Sequence, residues 1–116
     1  MLKSEIEYLG HMKKECDYLL KIANNLSEDE FYDNETLQRA FTRSLEIIGE
    51  ASKRVDLDFR LKYNSIAWSD MAKTRDKIIH HYEGVDYELV WQIISTDIPE
   101  LQFQLEQIIN EHNNNR

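Results

Sequence analysis

The stretch NETLQRAFTRSLEIIGEASKRV, residues 34–55, decides the fold class. Leu37, Phe41, Leu45 and Ile48 recur at steps of three or four, which places them on one side of a helix and leaves charged residues on the other. Asn34, or Asp33 before it, supplies a start signal, because a short polar side chain there can accept a first-turn N–H. The spacing predicts a long amphipathic helix that ends near Val55.

The same pattern extends on both sides. Upstream, Leu2, Ile6, Leu9, Cys16, Leu19, Ala23 and Leu26 line one side of a first long helix, and Ser27 followed by Glu30 has the form of a capping box. Downstream, Asp56 to Asn64 loses periodicity, mixes charges and reads as a connection or fraying turn. From Ser65 the chain resumes with Ile66, Trp68 and Met71 and meets no breaker before Gly84, so one helix is expected to carry Arg75 through Tyr82 and to stop at that glycine. Asp86 can cap the next segment, whose apolar face is Leu89, Val90, Ile93 and Ile94. Pro99 either starts a new helix or kinks this one, and Leu101, Leu105, Ile108 and Ile109 continue the apolar face. The expectation is an all-α, antiparallel up-and-down bundle of four to five helices, a single domain over 1–112 with a frayed polar tail at 113–116.

Composition narrows the function classes. Three glycines and one proline are too few turn formers for a sandwich or barrel of short strands. The lone Cys16 forms no intramolecular disulfide, lies in an apolar stripe, and is assigned to packing. With Lys3, Glu5 and Glu7 near the start and no long apolar run, neither a signal peptide nor a membrane span is expected, and a cytoplasmic location is. A net charge of −8 argues against nonspecific duplex binding. Cations nonetheless gather between Ala51 and His81, where Lys53, Arg54, Arg60, Lys62, Lys73, Arg75 and Lys77 outnumber Asp56, Asp58, Asp70 and Asp76.

Within that stretch stands Arg75-Asp76-Lys77-Ile78-Ile79-His80-His81-Tyr82. An arginine, four residues, a histidine, one residue and a tyrosine follow in order. The pattern resembles the HEPN ribonuclease signature. Its setting resembles the HepT-like toxins: Glu46-Ile47-Ile48-Gly49-Glu50-Ala51 upstream, Trp68, then Gly84-Val85-Asp86, Val90-Trp91 and Pro99-Glu100-Leu101, a likeness running from about Arg43 to Ile109. The sequence departs from the usual pattern at Ala67, Thr74 and Glu83, outside the motif's named positions.

The resemblance implies a HEPN-like fold, a homodimer with a cleft, and a metal-independent endoribonuclease in which a ribose 2′-hydroxyl attacks the adjacent phosphate. That chemistry asks for an imidazole to move protons near neutral pH and a guanidinium to hold phosphorane-like charge, roles that His80 and Arg75 match as catalytic residues. Asp76, four residues before His80, would share its face on a helix and orient it; Asp76 and the adjacent His81 are read as supporting residues. The resemblance also implies a partner, a minimal nucleotidyltransferase antitoxin that adenylylates Tyr82. Bulky phosphates placed there would compete with RNA for the same cations. No cofactor is expected. No metal is expected either, since adjacent His80 and His81 diverge by about 100° on a helix and lack a partner at four-residue spacing.

Geometry complicates the pairing. On a regular helix Arg75 and His80 point roughly 140° apart. The arginine could wrap around, the helix could be irregular, or a second subunit could complete the site across a two-fold axis, the option preferred here because it gives an arginine on an apolar stripe a cleft to face. Arg75 could instead serve structure alone by pairing with Asp76, Glu83 or another helix's carboxylate. A different class of function, a noncatalytic helical module that presents substrate or nucleotide to a transferase, also fits the acidic net charge.

Overall fold

A computed structural model describes residues 2–80 and 83–115, with side chains from Glu5 onward. Met1, His81, Tyr82, Arg116 and the side chains of Leu2, Lys3 and Ser4 therefore lie outside the described residues. Three long helices form the body: α1 (Leu2–Ala23), α3 (Glu35–Arg54) and α7 (Tyr87–Asn114). Four short ones join them: α2 (Glu28–Tyr32), α4 (Leu57–Lys62), α5 (Trp68–Ala72) and α6 (Thr74–Ile78). Two-residue strands β1 (Ile79–His80) and β2 (Gly84–Val85) pair antiparallel, with Ile79 opposite Val85 and His80 opposite Gly84.

The local signals act as read. Ser27 Oγ accepts the Glu30 N–H while Glu30 Oε1 accepts the Ser27 N–H, a complete capping box on α2. Asn34 accepts from Leu37 N at the start of α3, and Asp86 accepts from Leu89 N at the start of α7.

Cross-helix contacts fix the directions. Going up α1, Glu5 accepts the Asp56 N–H at 2.8 Å, Met12 meets Ser52 and Tyr18 meets Phe41, so α3 descends beside it. Likewise Ile6 lines a cleft with His112, Asp17 accepts from Gln102 at 2.6 Å, and Asn24 shares a cleft with Trp91, so α7 also runs antiparallel to α1. Leu9, Met12, Cys16 and Leu19 of α1 are fully buried against Phe41, Leu45 and Ile48 of α3 and Val90, Ile94, Ile98, Leu101 and Leu105 of α7. Each such side chain contributes about 1.5–3 kcal/mol relative to exposure. Phe31 on α2 closes one end of the core, stacking on Phe41 with ring centroids 5.3 Å apart and meeting Trp91 at the same distance.

Some expectations are corrected. Asp56–Asn64 is not a mere connection: it contains α4, whose single buried residue, Phe59, is too little to show as a period. The all-α bundle is as expected, built among the described residues from three long helices and four short ones. Of the two readings of Pro99, a new helix start does not hold, since α7 runs through it; Ser95 and Pro99 are both on the exposed side of that helix, where the carbonyl left by the missing N–H can meet water. The asparagine run is helical to Asn114.

A further correction bears on function. The helix expected from Ser65 to Tyr82 is broken into α5 and α6 and stops at Ile78. The reason lies beyond local sequence. The Ile78 carbonyl accepts the Asp86 N–H at 2.7 Å, so the acceptor a continuing helix would need is already engaged, and two consecutive β-branched residues, Ile78 and Ile79, suit the extended backbone that follows. Gly84, expected as a helix terminator, has φ +80° in β2, a backbone region that favours glycine.

Candidate active site

Arg75 projects from α6 with a side chain 65% exposed, so it does not sit on an apolar stripe as helical spacing suggested. Its Nε donates to Glu46 Oε2 on α3 at 3.1 Å, and that carboxylate is only 20% exposed. This is the purely structural pairing, with another helix's carboxylate, that the sequence leaves open for the arginine. Among the described residues, the guanidinium makes no other hydrogen bond to protein. Thr74, where an apolar residue is more usual, is buried with its hydroxyl satisfied by the Asp70 carbonyl at 3.0 Å, so the departure costs no unpaired group.

The path of α3 behind Arg75 depends on Gly49. A Cβ built there would lie 2.8 Å from the Met71 carbonyl oxygen, closer than packed atoms tolerate, so only glycine lets α5 lie this near to α3. Trp68 anchors α5 from the other side, buried and donating its indole N–H to the Tyr63 carbonyl at 3.1 Å. These contacts hold the fragment that leads into the motif.

His80 leaves the helix and sits on β1, half-exposed. The face shared with Asp76 thus does not exist, because that argument required both on one helix; Asp76 is exposed on α6. The carboxylate near His80 is instead Asp86, with Oδ2 3.8 Å from Nε2, a separation for charge attraction rather than a direct hydrogen bond. The same side chain caps α7 through Oδ1. Around His80 opens a cleft of about 460 Å³ that also takes in Tyr32, Gln38, Glu83, Asp86 and Glu88. Tyr32 donates to Glu28 at 2.6 Å. That bond foremost, then burial and the charges of Glu28, Glu88 and Asp86, pushes its phenol up to about 12. Within one chain the His80 cleft is acidic, whereas Arg75 has cationic neighbours in sequence, Lys73 and Lys77, the latter 3.6 Å from Asp70.

Arg75 and His80 are therefore held by different partners, Glu46 on α3 and Asp86 at the head of α7, and share none among the described residues. His81 and Tyr82 lie outside the described residues, so their expected roles have no geometry here. Glu46 and Asp86 were legible as members of flanking motifs but not as partners of Arg75 and His80. Another cation of the central stretch, Arg60, serves structure: it donates to the carbonyls of Val55 and Lys53, closing the end of α3. Among the described residues no group of three or more His, Cys, Asp or Glu side chains is placed to hold a metal ion, and no helix is long and apolar enough to cross a membrane.

Comparison with known proteins places this architecture. A family model described as ribonuclease HepT-like matches residues 12–108. A protein of Caldanaerobacter subterraneus named as a candidate RNase is 41% identical over 110 residues, covering 95% of this chain and 98% of the relative. One from Methanocaldococcus jannaschii, also named as a candidate RNase, is 38% identical over 112 residues, covering 96% and 93%. A candidate ribonuclease HepT of Thermococcus cleftensis is 35% identical over 108 residues, covering 93% and 98%. No solved structure is a significant match to the chain. The matched span includes all three long helices in whole or large part together with the whole Arg75–His80 segment, and the chain belongs to the HepT-like ribonuclease family.

Proposed function

We propose that this chain is the toxin of a HepT-type toxin–antitoxin pair, a metal-independent endoribonuclease that acts in the cytoplasm as a homodimer. Its catalytic groups are Arg75 and His80. The observation that carries the reading is the release of His80 from the helix: on β1 its imidazole is half-exposed and faces a carboxylate, and Arg75, five residues earlier, is exposed with only its Nε bonded to protein among the described residues. In the reaction a ribose 2′-oxygen loses its proton and bonds to the adjacent phosphorus, the 5′-oxygen leaves and takes up a proton, and a cyclic phosphate remains. An imidazole can serve those proton transfers, and a guanidinium can hold the charge that grows on the phosphoryl oxygens. Because the two groups hang on different anchors, a second subunit that supplies one of them to the other's cleft remains the preferred geometry. Tyr82 is the proposed site of adenylylation by a minimal nucleotidyltransferase antitoxin, and Asp76 and His81 stay supporting candidates.

The test is RNA cleavage by purified protein in chelator. Wild type should cut, and His80→Ala should not while keeping its helical spectrum; a fully active His80→Ala removes the assignment. Incubation with the antitoxin and ATP should add adenylyl mass to the Tyr82 peptide, and an unmodified peptide under active transferase counts against that part.

The acidic His80 cleft, with Glu83, Asp86 and Glu88 around it, favours one alternative: a noncatalytic helical module that presents substrate or nucleotide to the transferase. RNA left whole by active-concentration protein would favour that module.

A further inference from the structure

The Glu46-Ile47-Ile48-Gly49 run of α3 has no part in the proposed chemistry, yet it touches both the motif and the fragment that leads into it. Gly49 allows the close approach of Met71, and Glu46, three residues earlier and so on the same side of α3, takes the Nε–H of Arg75. The pair is asymmetric. The carboxylate is sheltered and carried by a 20-residue helix, while the guanidinium is mostly exposed at the tip of a long side chain on a five-residue helix. Glu46 is thus the fixed member and Arg75 the one being held.

A guanidinium offers five N–H donors in one plane, and an anion can be gripped along either of two edges: Nε with one Nη, or both Nη groups together. With Glu46 on Nε, the edge formed by the two Nη groups stays available. We propose that Glu46 is a positioning residue for Arg75, holding the arginine by its Nε so that the two Nη groups meet a substrate phosphate. This inference rests on the reading of Arg75 as the phosphate-binding group. An ion pair this exposed on one side contributes little through charge alone. The benefit must come from geometry, by removing the rotamer freedom that an unanchored arginine would lose on binding RNA.

Two substitutions separate geometry from charge. Glu46→Gln keeps an oxygen acceptor for Nε–H and removes the charge; Glu46→Ala removes the acceptor and, as alanine favours helix, leaves α3 intact. Expected are near-normal cleavage by the glutamine variant and a fall in kcat of about 10- to 100-fold for the alanine variant, with a smaller change in KM. The Arg75 Nε–H resonance reports the contact directly. It should exchange slowly with solvent in wild type and Glu46→Gln, and fast in Glu46→Ala. Wild-type kcat in Glu46→Ala, or a fast-exchanging Nε–H in wild type, overturns the proposal. Failure of the underlying reading looks different: wild type that leaves RNA whole, or an Arg75→Ala variant as active as wild type, removes the nuclease role while the resonance still judges the pairing.

Discussion

Asp86 joins His80 to the head of the longest helix. Its Oδ1 accepts the Leu89 N–H at 3.1 Å, capping α7, while its Oδ2 lies 3.8 Å from His80 Nε2. Its backbone N–H donates to the Ile78 carbonyl at 2.7 Å, so one residue ends α6, starts α7 and places a negative charge beside the imidazole. The position of His80 is therefore set by the bundle through Asp86 rather than by the helix on which the motif begins.

Asparagine caps helices about as well as aspartate, which allows the two roles of this side chain to be separated. Asp86→Asn should change stability by less than about 0.5 kcal/mol, and Asp86→Ala should cost about 1 kcal/mol in thermal melts. Both groups are partly exposed, so the lost attraction is worth at most about 1 kcal/mol, and RNA cleavage by Asp86→Asn should fall roughly two- to fivefold. Equal initial rates for this variant and wild type would show that the carboxylate serves only α7.

Gly84 tests the backbone of the same corner. At φ +80° a side chain is strained even though a Cβ there would meet nothing within 4 Å, so Gly84→Ala isolates conformational cost from clash. A loss of about 1–2 kcal/mol in urea unfolding is expected. The Asp86 amide should exchange faster as β1 and β2 loosen. Unchanged stability would mean that this glycine's conformation is not needed.

The sequence disclosed what is local and missed what is distant. Leu37, Phe41, Leu45 and Ile48 announce α3, and Ser27, Asn34 and Asp86 announce helix starts, because period and caps are settled within one or two turns. The stop at Ile78 depends on an N–H eight residues further on, which no helical pattern encodes. The assumption of an unbroken helix then misdirected the site: it joined Asp76 to His80 and placed Arg75 on an apolar face. The contact between Glu46 and Arg75 spans 29 positions, and both residues were visible only as motif members. Gly84 reads in the sequence only as a helix stop, whereas its left-handed backbone serves a strand here.

Gly49 offers a structural control on the placement of Arg75. In Gly49→Ala the new methyl would lie 2.8 Å from the Met71 carbonyl oxygen, which belongs to backbone and cannot rotate away, so α5 must shift. Overpacking of this kind costs about 1–3 kcal/mol. A helix-favouring substitution in mid-helix would otherwise stabilise by up to about 1 kcal/mol, so the sign of the measured change decides between close approach and propensity. Destabilisation together with weaker cleavage is expected. A more stable variant would show that α3 and α5 do not need their present separation.

Cys16 reports on the core without touching the site. It is fully buried between α3 and α7, and burial first, with the nearby charges of Asp17 and Glu15 adding to it, pushes its thiol up to about 12. Thiolate is the reactive form, so at pH 8 the folded chain presents neither the ionised group nor access to it. Alkylation by iodoacetamide should thus follow global opening and run at least about a thousandfold slower than for the unfolded chain, given a stability near 5 kcal/mol or more. Urea through the unfolding transition should bring the rate up to that of a free thiol, as read by mass spectrometry over time. Complete labelling of native protein on the free-thiol timescale would place Cys16 in an accessible or readily opened region, against the packing of α1 described here.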